Sequence, residues 1–205
     1  MVRFLAVPLS VLAFHSVVGP VSPPLQARLT GKYWHQGCPV SFAQLRVLTV
    51  TTWGFDGRPH PGQLVVNADA AAKLERVFRR LYELHFPIRD MRLQHAYVPK
   101  QPADISDAFE CRQAVPSPCS GGTGTGHWSE HAYGEAVDLN PVENPYVGCG
   151  MTRDAAGKPY LDRSRLRPGM VTPAVVDAFR SEGWGWGGAW SGSTKDYQHF
   201  SAAGH

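Results

Sequence analysis

His131 and Asp138 stand seven residues apart in the run Ser129-Glu130-His131-Ala132-Tyr133-Gly134-Glu135-Ala136-Val137-Asp138, and Asp196-Tyr197-Gln198-His199 answers them much later. This spacing constrains the fold more than any other feature of the chain. On one straight helix His131 and Asp138 would lie about 10.5 Å apart along the axis; on one straight strand, about 23 Å. To share an ion the chain must turn between them, and Gly134 and Ala136 are small enough to let it bend. Two imidazoles and a carboxylate are three N/O donors for one metal, and Asp196 adds a second carboxylate three residues before His199. Catalytic zinc sites need that inventory: three protein ligands, one open position and a nearby base. We therefore read His131, Asp138 and His199 as ligands of Zn2+ and Asp196 as general base. The competing reading is a scatter of polar loop residues.

A rival pair, His127 and His131, sits at i, i+4. On a helix two such histidines can ligate zinc, but that pattern needs Glu directly after the first His. Trp128 stands there instead, and Gly124 and Gly126 argue against a helix.

Ser129-x-His131-x-x-Gly134-x-Ala136-x-Asp138 resembles the signature of the zinc D-Ala-D-Ala peptidases, a family of VanY-type carboxypeptidases, VanX-type dipeptidases and L-alanyl-D-glutamate endolysins. Trp53 to Arg58, Phe86-Pro87-Ile88, Phe109 to Arg112, Asn140 to Val147, Gly183 to Trp190 and Asp196 to Phe200 resemble an extracellular bacterial subgroup of it. The likeness runs from about Gly37 to Phe200. It implies a hedgehog/D-Ala-D-Ala peptidase fold, zinc, and hydrolysis of peptidoglycan stem peptides, with D-alanyl-D-alanine carboxypeptidase as the leading activity. L-alanyl-D-glutamate endopeptidase stays open, because Asp196 replaces the Glu of the VanX and VanY types and some endolysin-type members carry Asp there. Glu182 does not fit the spacing. A zinc-holding cell-wall binding module without catalysis is the non-enzymatic alternative; a base beside the metal argues against it. A serine carboxypeptidase is disfavoured because Ser-x-x-Lys is absent.

For binding the substrate's carboxylate the resemblance points to an Arg upstream of the first His. Arg112 is the candidate and Arg92 the competitor, because a guanidinium holds a carboxylate in a two-pronged fork. Ser129 either bonds substrate or supports the His131 turn. Trp190, with Trp184 and Trp186, is a candidate cleft wall.

The 205 residues suffice for one domain with a real core, and 43% hydrophobic with 18% charged residues fit a globular protein. A net charge of +3 suits attraction to an anionic cell wall, and no dense Lys/Arg run argues for nucleic acid. Met1-Val2-Arg3 followed by the apolar stretch Phe4 to Val18 has the shape of an export signal. Residues 1–21 are thus expected to be a signal peptide or a retained membrane anchor, 22–36 a linker or arm, and 37–205 the peptidase domain of a secreted or cell-wall-associated monomer. Cys38, Cys111, Cys119 and Cys149 suggest two disulfides in an exported chain. Spacing leaves all three pairings open; the resemblance favours Cys38–Cys111 as positions shared by the subgroup, leaving Cys119–Cys149 as an added pair.

Arg46 to Phe55 and Gly62 to Asn67 read as a hairpin. Asp69 to Leu84 reads as an amphipathic helix capped by Asn67 or Asp69. Ile88 to Ala96 reads as a strand, Pro99 to Gly126 as mostly loop with a flexible Gly-rich insertion, and Glu135 to Leu139 as a short central strand. Thr172 to Ser181 reads as a helix with Thr172 as cap and Pro173 at its first position. Gly185-Trp186 and Tyr197 to Phe200 read as short strands. The expected fold class is α+β, an antiparallel sheet with helices packed on it.

Overall fold

The computed structural model describes residues 13–93, 104–120 and 124–204. In chain order the elements are β1 (Ser16–Pro20), α1 (Pro23–Leu29), β2 (Leu45–Trp53), β3 (Pro59–Asn67), α2 (Ala68–Glu83), α3 (Glu130–Tyr133), β4 (Ala136–Asp138), β5 (Tyr146–Gly148), β6 (Met151–Thr152), α4 (Pro173–Arg180), β7 (Gly185–Trp186), β8 (Lys195–Asp196) and β9 (His199–Ser201). Helices combine with antiparallel strands, as an α+β chain should. The strands, however, form three small sheets rather than one: β1-β2-β3, β4-β9-β7 and β6-β5-β8.

The β2–β3 hairpin is the platform. Its strands alternate faces, as the two-residue period requires. Leu48, Val50, Leu64 and Val66 point to the side where α2 packs with Leu74, Val77, Phe78 and Leu81. The same core continues through Val137, Leu139, Phe179 and Phe200, so the hairpin, α2, α4 and the β4–β9 ladder share one interior. Val65 points to the other face, where Leu25, Leu29, Leu45 and Phe109 form a second cluster. Asn67 ends β3 and caps α2, its side chain accepting from Asp69 N at 3.1 Å, which decides between the two candidate caps.

Three sequence expectations need correction. Residues 22–36, expected as a linker or arm, carry α1, whose Leu25 and Leu29 are buried in the second cluster; the apolar spacing of this seven-residue helix is too brief to stand out in the sequence. The region expected as a strand from Ile88 forms no ladder up to Leu93. It touches the hairpin at single points, Ile88 N to Trp53 O at 2.7 Å and Gln63 N to Met91 O at 2.5 Å. Between them Arg89 turns away to Asp104 and Glu143; the end of that expected strand lies outside the described residues, as do part of the Gly-rich insertion and most of the expected export signal. Finally, Tyr197 to Phe200 is not one strand: the chain leaves β8 at Asp196 and enters β9 at His199.

The end of the expected export segment is also structured. Ser16 to Pro20 pair with Val50 to Arg46 as an edge strand, and Ser16 Oγ donates to Glu75 Oε1 at 2.7 Å. No helix among the described residues is long and apolar enough to cross a membrane.

Both disulfides form, joining Cys38 to Cys111 and Cys119 to Cys149, which fits an oxidising compartment. Non-reducing peptide mapping of the natively produced protein is expected to recover these two cross-linked pairs; four alkylatable thiols would contradict the pairing.

Candidate metal centre and its cleft

Cross-strand register brings the distant residues together. β4 and β9 are antiparallel with Asp138 directly opposite His199, and directly opposed residues project side chains to the same face. The main chain secures this edge further: Asp138 and Asp107 exchange N–H···O bonds of 2.9 and 3.1 Å, and Leu139 N donates to Gln198 O at 3.0 Å.

His131 arrives from α3, a single turn that ends in the bend its spacing from Asp138 demanded. Ser129 caps this turn, its Oγ accepting from His131 N at 3.3 Å. Gly134 closes it in the left-handed region at φ 70°. A Cβ at Gly134 would meet Asn67 N at 2.7 Å, so glycine is needed for space as well as for backbone angle. Asn67 bonds this turn twice, Asn67 N to Gly134 O at 2.8 Å and Asn67 Nδ2 to Tyr133 O at 2.9 Å. The residue that caps α2 therefore also anchors the loop carrying His131. That double duty was not visible in the sequence.

Three donor atoms converge. His131 Nε2 lies 3.2 Å from His199 Nδ1 and 3.3 Å from Asp138 Oδ1, and His199 Nδ1 lies 3.2 Å from the same carboxylate oxygen. Zinc bonds of roughly 2.0–2.1 Å in a tetrahedron place neighbouring ligand atoms about 3.3–3.4 Å apart, so the triangle has the size of one face of such a site. His131 Nδ1 meets Ala108 O at 2.5 Å. A carbonyl there demands the proton on Nδ1 and leaves the Nε2 lone pair aimed at the other two donors, the usual outer support of a metal-binding imidazole. All three residues are buried, and among the described residues this group and His35, Cys38 and Cys111 are the ones whose donors cluster closely enough for a metal. The two cysteines of that second group are joined in a disulfide. His127 lines the same cleft but is not among the clustered donors, so the rival pair is not assembled.

Burial and close charges set the protonation of these groups. Burial opposes charge on His131, but the Asp138 carboxylate outweighs it and raises the imidazole to about 9. Burial likewise works against the Asp138 anion, yet His131 and His199 hold its carboxyl well below the usual range. Asp196 goes the other way: burial, then the nearby Asp138 charge, lift it to about 7. Its Oδ1 is buried with no hydrogen-bond partner among the described residues. An orphaned carboxylate oxygen beside a cluster of donors is costly unless something arrives to meet it. Gly187 packs against this residue so closely that a Cβ would lie 2.5 Å from Asp196 O. The glycine-rich stretch before Trp190 thus lets β8 approach, a role the sequence did not mark.

The cluster opens into a cleft of about 610 Å³. Arg112 lines it, half-buried and paired with Glu110 Oε2 at 2.6 Å. Burial disfavours the guanidinium charge, and Glu110 with Asp138 more than restores it. Arg92, the competitor, is mostly exposed and paired with Asp90. Ser129 lines the cleft as well as capping α3. Trp190 forms a wall, its ring 5.7 Å from that of His199. Trp184 is instead buried in the core, and Glu182 pairs with Arg76. Tyr146 and Arg153 also line the cleft. The sequence did not single them out, since they lie in a turn-rich excursion; the register that sets Tyr146 opposite Asp196 appears only in the folded chain.

Residues 123–202 match the family model of D-alanyl-D-alanine carboxypeptidase. Over those residues the chain is similar to that peptidase family. The matched stretch contains His131, Asp138, Asp196 and His199, and stops short of the Arg112 segment and everything before it. No curated protein and no solved structure matches the chain.

Proposed function

We propose that the protein is a zinc-dependent peptidase that removes the terminal D-alanine from peptidoglycan stem peptides. The observation that carries this reading is the convergence of three donor atoms on one triangle, with the orphaned Oδ1 of Asp196 in the same cleft. His131, Asp138 and His199 would hold the zinc. When bound, zinc acidifies water and polarises the carbonyl under attack.

The chain's own residues supply the rest. Asp196 accepts the proton of the attacking water at its carboxylate and passes it to the leaving amine. A carboxylate buried in the cleft with an unpartnered oxygen is placed to take up and release that proton. Arg112 binds the free carboxylate of the terminal D-alanine, and Glu110 holds the guanidinium in place for it. Trp190 and Trp128 line the cleft as apolar walls. Ser129 acts through His131 by fixing the α3 turn. The hedgehog-type fold, export and a monomeric state belong to the same proposal; the family likeness supports the first and the paired cysteines the second.

Purified peptidoglycan digested with the zinc-loaded protein is expected to lose one D-alanine per pentapeptide stem, read by mass spectrometry. Scission between L-alanine and D-glutamate would instead make it an endopeptidase. A synthetic stem peptide amidated at its C-terminus is expected to react at least roughly tenfold less efficiently, because the Arg112 guanidinium would lose its partner. Equal turnover of acid and amide would remove Arg112 from the site.

A further inference from the structure

Arg153 lines the same cleft as Arg112 and differs from it in one respect: among the described residues it has no carboxylate of its own. Its Nη2 donates to Pro116 O at 2.9 Å, and among the described residues no acidic side chain pairs with it. The neighbouring Asp154 uses its carboxylate to cap the following turn, accepting from Ala156 N at 2.8 Å. The carboxylates lining the cleft, Glu130, Asp138 and Asp196, belong to the α3 turn and the metal centre.

The wall carrying Arg153 is built to keep its position. Arg153 directly follows β6, which pairs with β5, and β5 pairs with the β8 strand bearing Asp196. The disulfide between Cys119 and Cys149 ties the β5–β6 turn to the loop that supplies Pro116. Ser117 Oγ meets Thr194 Oγ1 at 2.7 Å, binding the same loop to the start of β8. A Cβ on Gly148 would lie 2.7 Å from Ser117 Oγ, so β5 and this loop are in close contact. The Tyr146 phenol, on the same wall, feels both the Asp196 carboxylate and the Arg153 cation. One stretch of chain, Arg112 to Pro116, links the two guanidiniums. The Cα atoms of Arg112 and Pro116 are therefore at most roughly 14 Å apart.

We propose that Arg153 forms a second anion subsite, selecting stem peptides that carry a side-chain carboxylate two residues before the terminal D-alanine. The inference rests on the reading of Arg112 and the scissile bond given above. With the terminal carboxylate at Arg112, an extended peptide places its third-last residue about 7 Å further along. A side chain adds a few ångströms more, which brings an acidic group within the span available to Arg153. A substrate with a neutral or basic side chain there would leave the guanidinium with Pro116 O alone.

The test compares N-acetyl-L-Glu-D-Ala-D-Ala with its isosteric glutamine counterpart, on zinc-loaded wild type and on Arg153→Gln. Wild type is expected to prefer the glutamate peptide about fivefold in kcat/KM, the size of a partly exposed ion pair, and the preference should shrink as salt is raised. Arg153→Gln should bring the ratio to about one. Calorimetric titration of both peptides into the Asp196→Asn protein reads the same preference without turnover. If neither peptide is cut but the affinities differ and Arg153→Gln equalises them, the peptidase reading fails while the subsite stands. Equal affinities for the two peptides, or a preference that Arg153→Gln retains, would overturn the subsite.

Discussion

Asp196→Asn is expected to bind as much zinc as wild type and to hydrolyse stem peptide roughly 10²–10⁴-fold more slowly, the usual cost of losing a general base. The substitution keeps the size of the side chain and removes its ability to take a proton. It leaves the donor triangle of His131, Asp138 and His199 in place. The carboxyl is lifted to about 7, by burial first and by Asp138 second, so a base role makes wild-type activity fall as pH drops and the group takes up its proton. A bound dication would draw that midpoint lower, and the variant should lack the acid limb. Metal content by elemental analysis and a pH–rate profile decide it. Near-wild-type turnover would take Asp196 out of the chemistry.

The second large effect is expected at His131. His131→Ala should reduce zinc from about one equivalent to a small residue and abolish turnover with it. The alanine removes one corner of the donor triangle and leaves Asp138 buried between a single histidine and an empty space. A buried anion stripped of part of its support is costly, so the metal-free variant should also melt below the metal-free wild type. Differential scanning calorimetry under chelation reads that term separately from metal loss. Full metal retention in the variant would redirect attention to His127, which lines the same cleft.

Much of this site was legible because its chemistry is local. The short span from Ser129 to Asp138 contains the cap, the first candidate ligand, the glycine that turns the chain and the second candidate ligand. Amphipathic spacing and a Pro after a Thr likewise marked α2 and α4 with their boundaries nearly right. What stayed hidden depends on contacts between distant segments. Asn67 looked like a helix cap and nothing more, yet it also grips the α3 turn. Gly187 looked like filler beside tryptophans, yet it makes room for Asp196. The apolar residues of α1 number too few to declare a helix, and only their burial against the back of the hairpin reveals one. Ile88 to Leu93 has strand-like composition, but Arg89 pairs away from the hairpin with Asp104 and Glu143, and composition says nothing about where a hydrogen-bond ladder will form.

The pairing of Asp138 with His199 has a consequence for how this protein can change over time. The two residues are 61 positions apart, and the chain between them runs out through β5, β6, α4, β7 and β8 before β9 returns. Their meeting is set by which rung of the β4–β9 ladder each occupies, not by the length of chain that separates them. Insertions and deletions in that excursion can therefore accumulate while the metal centre keeps its shape. A shift of one rung cannot be absorbed, because it would turn one of the two side chains to the opposite face. Such a lineage would drift freely in length and remain fixed in register.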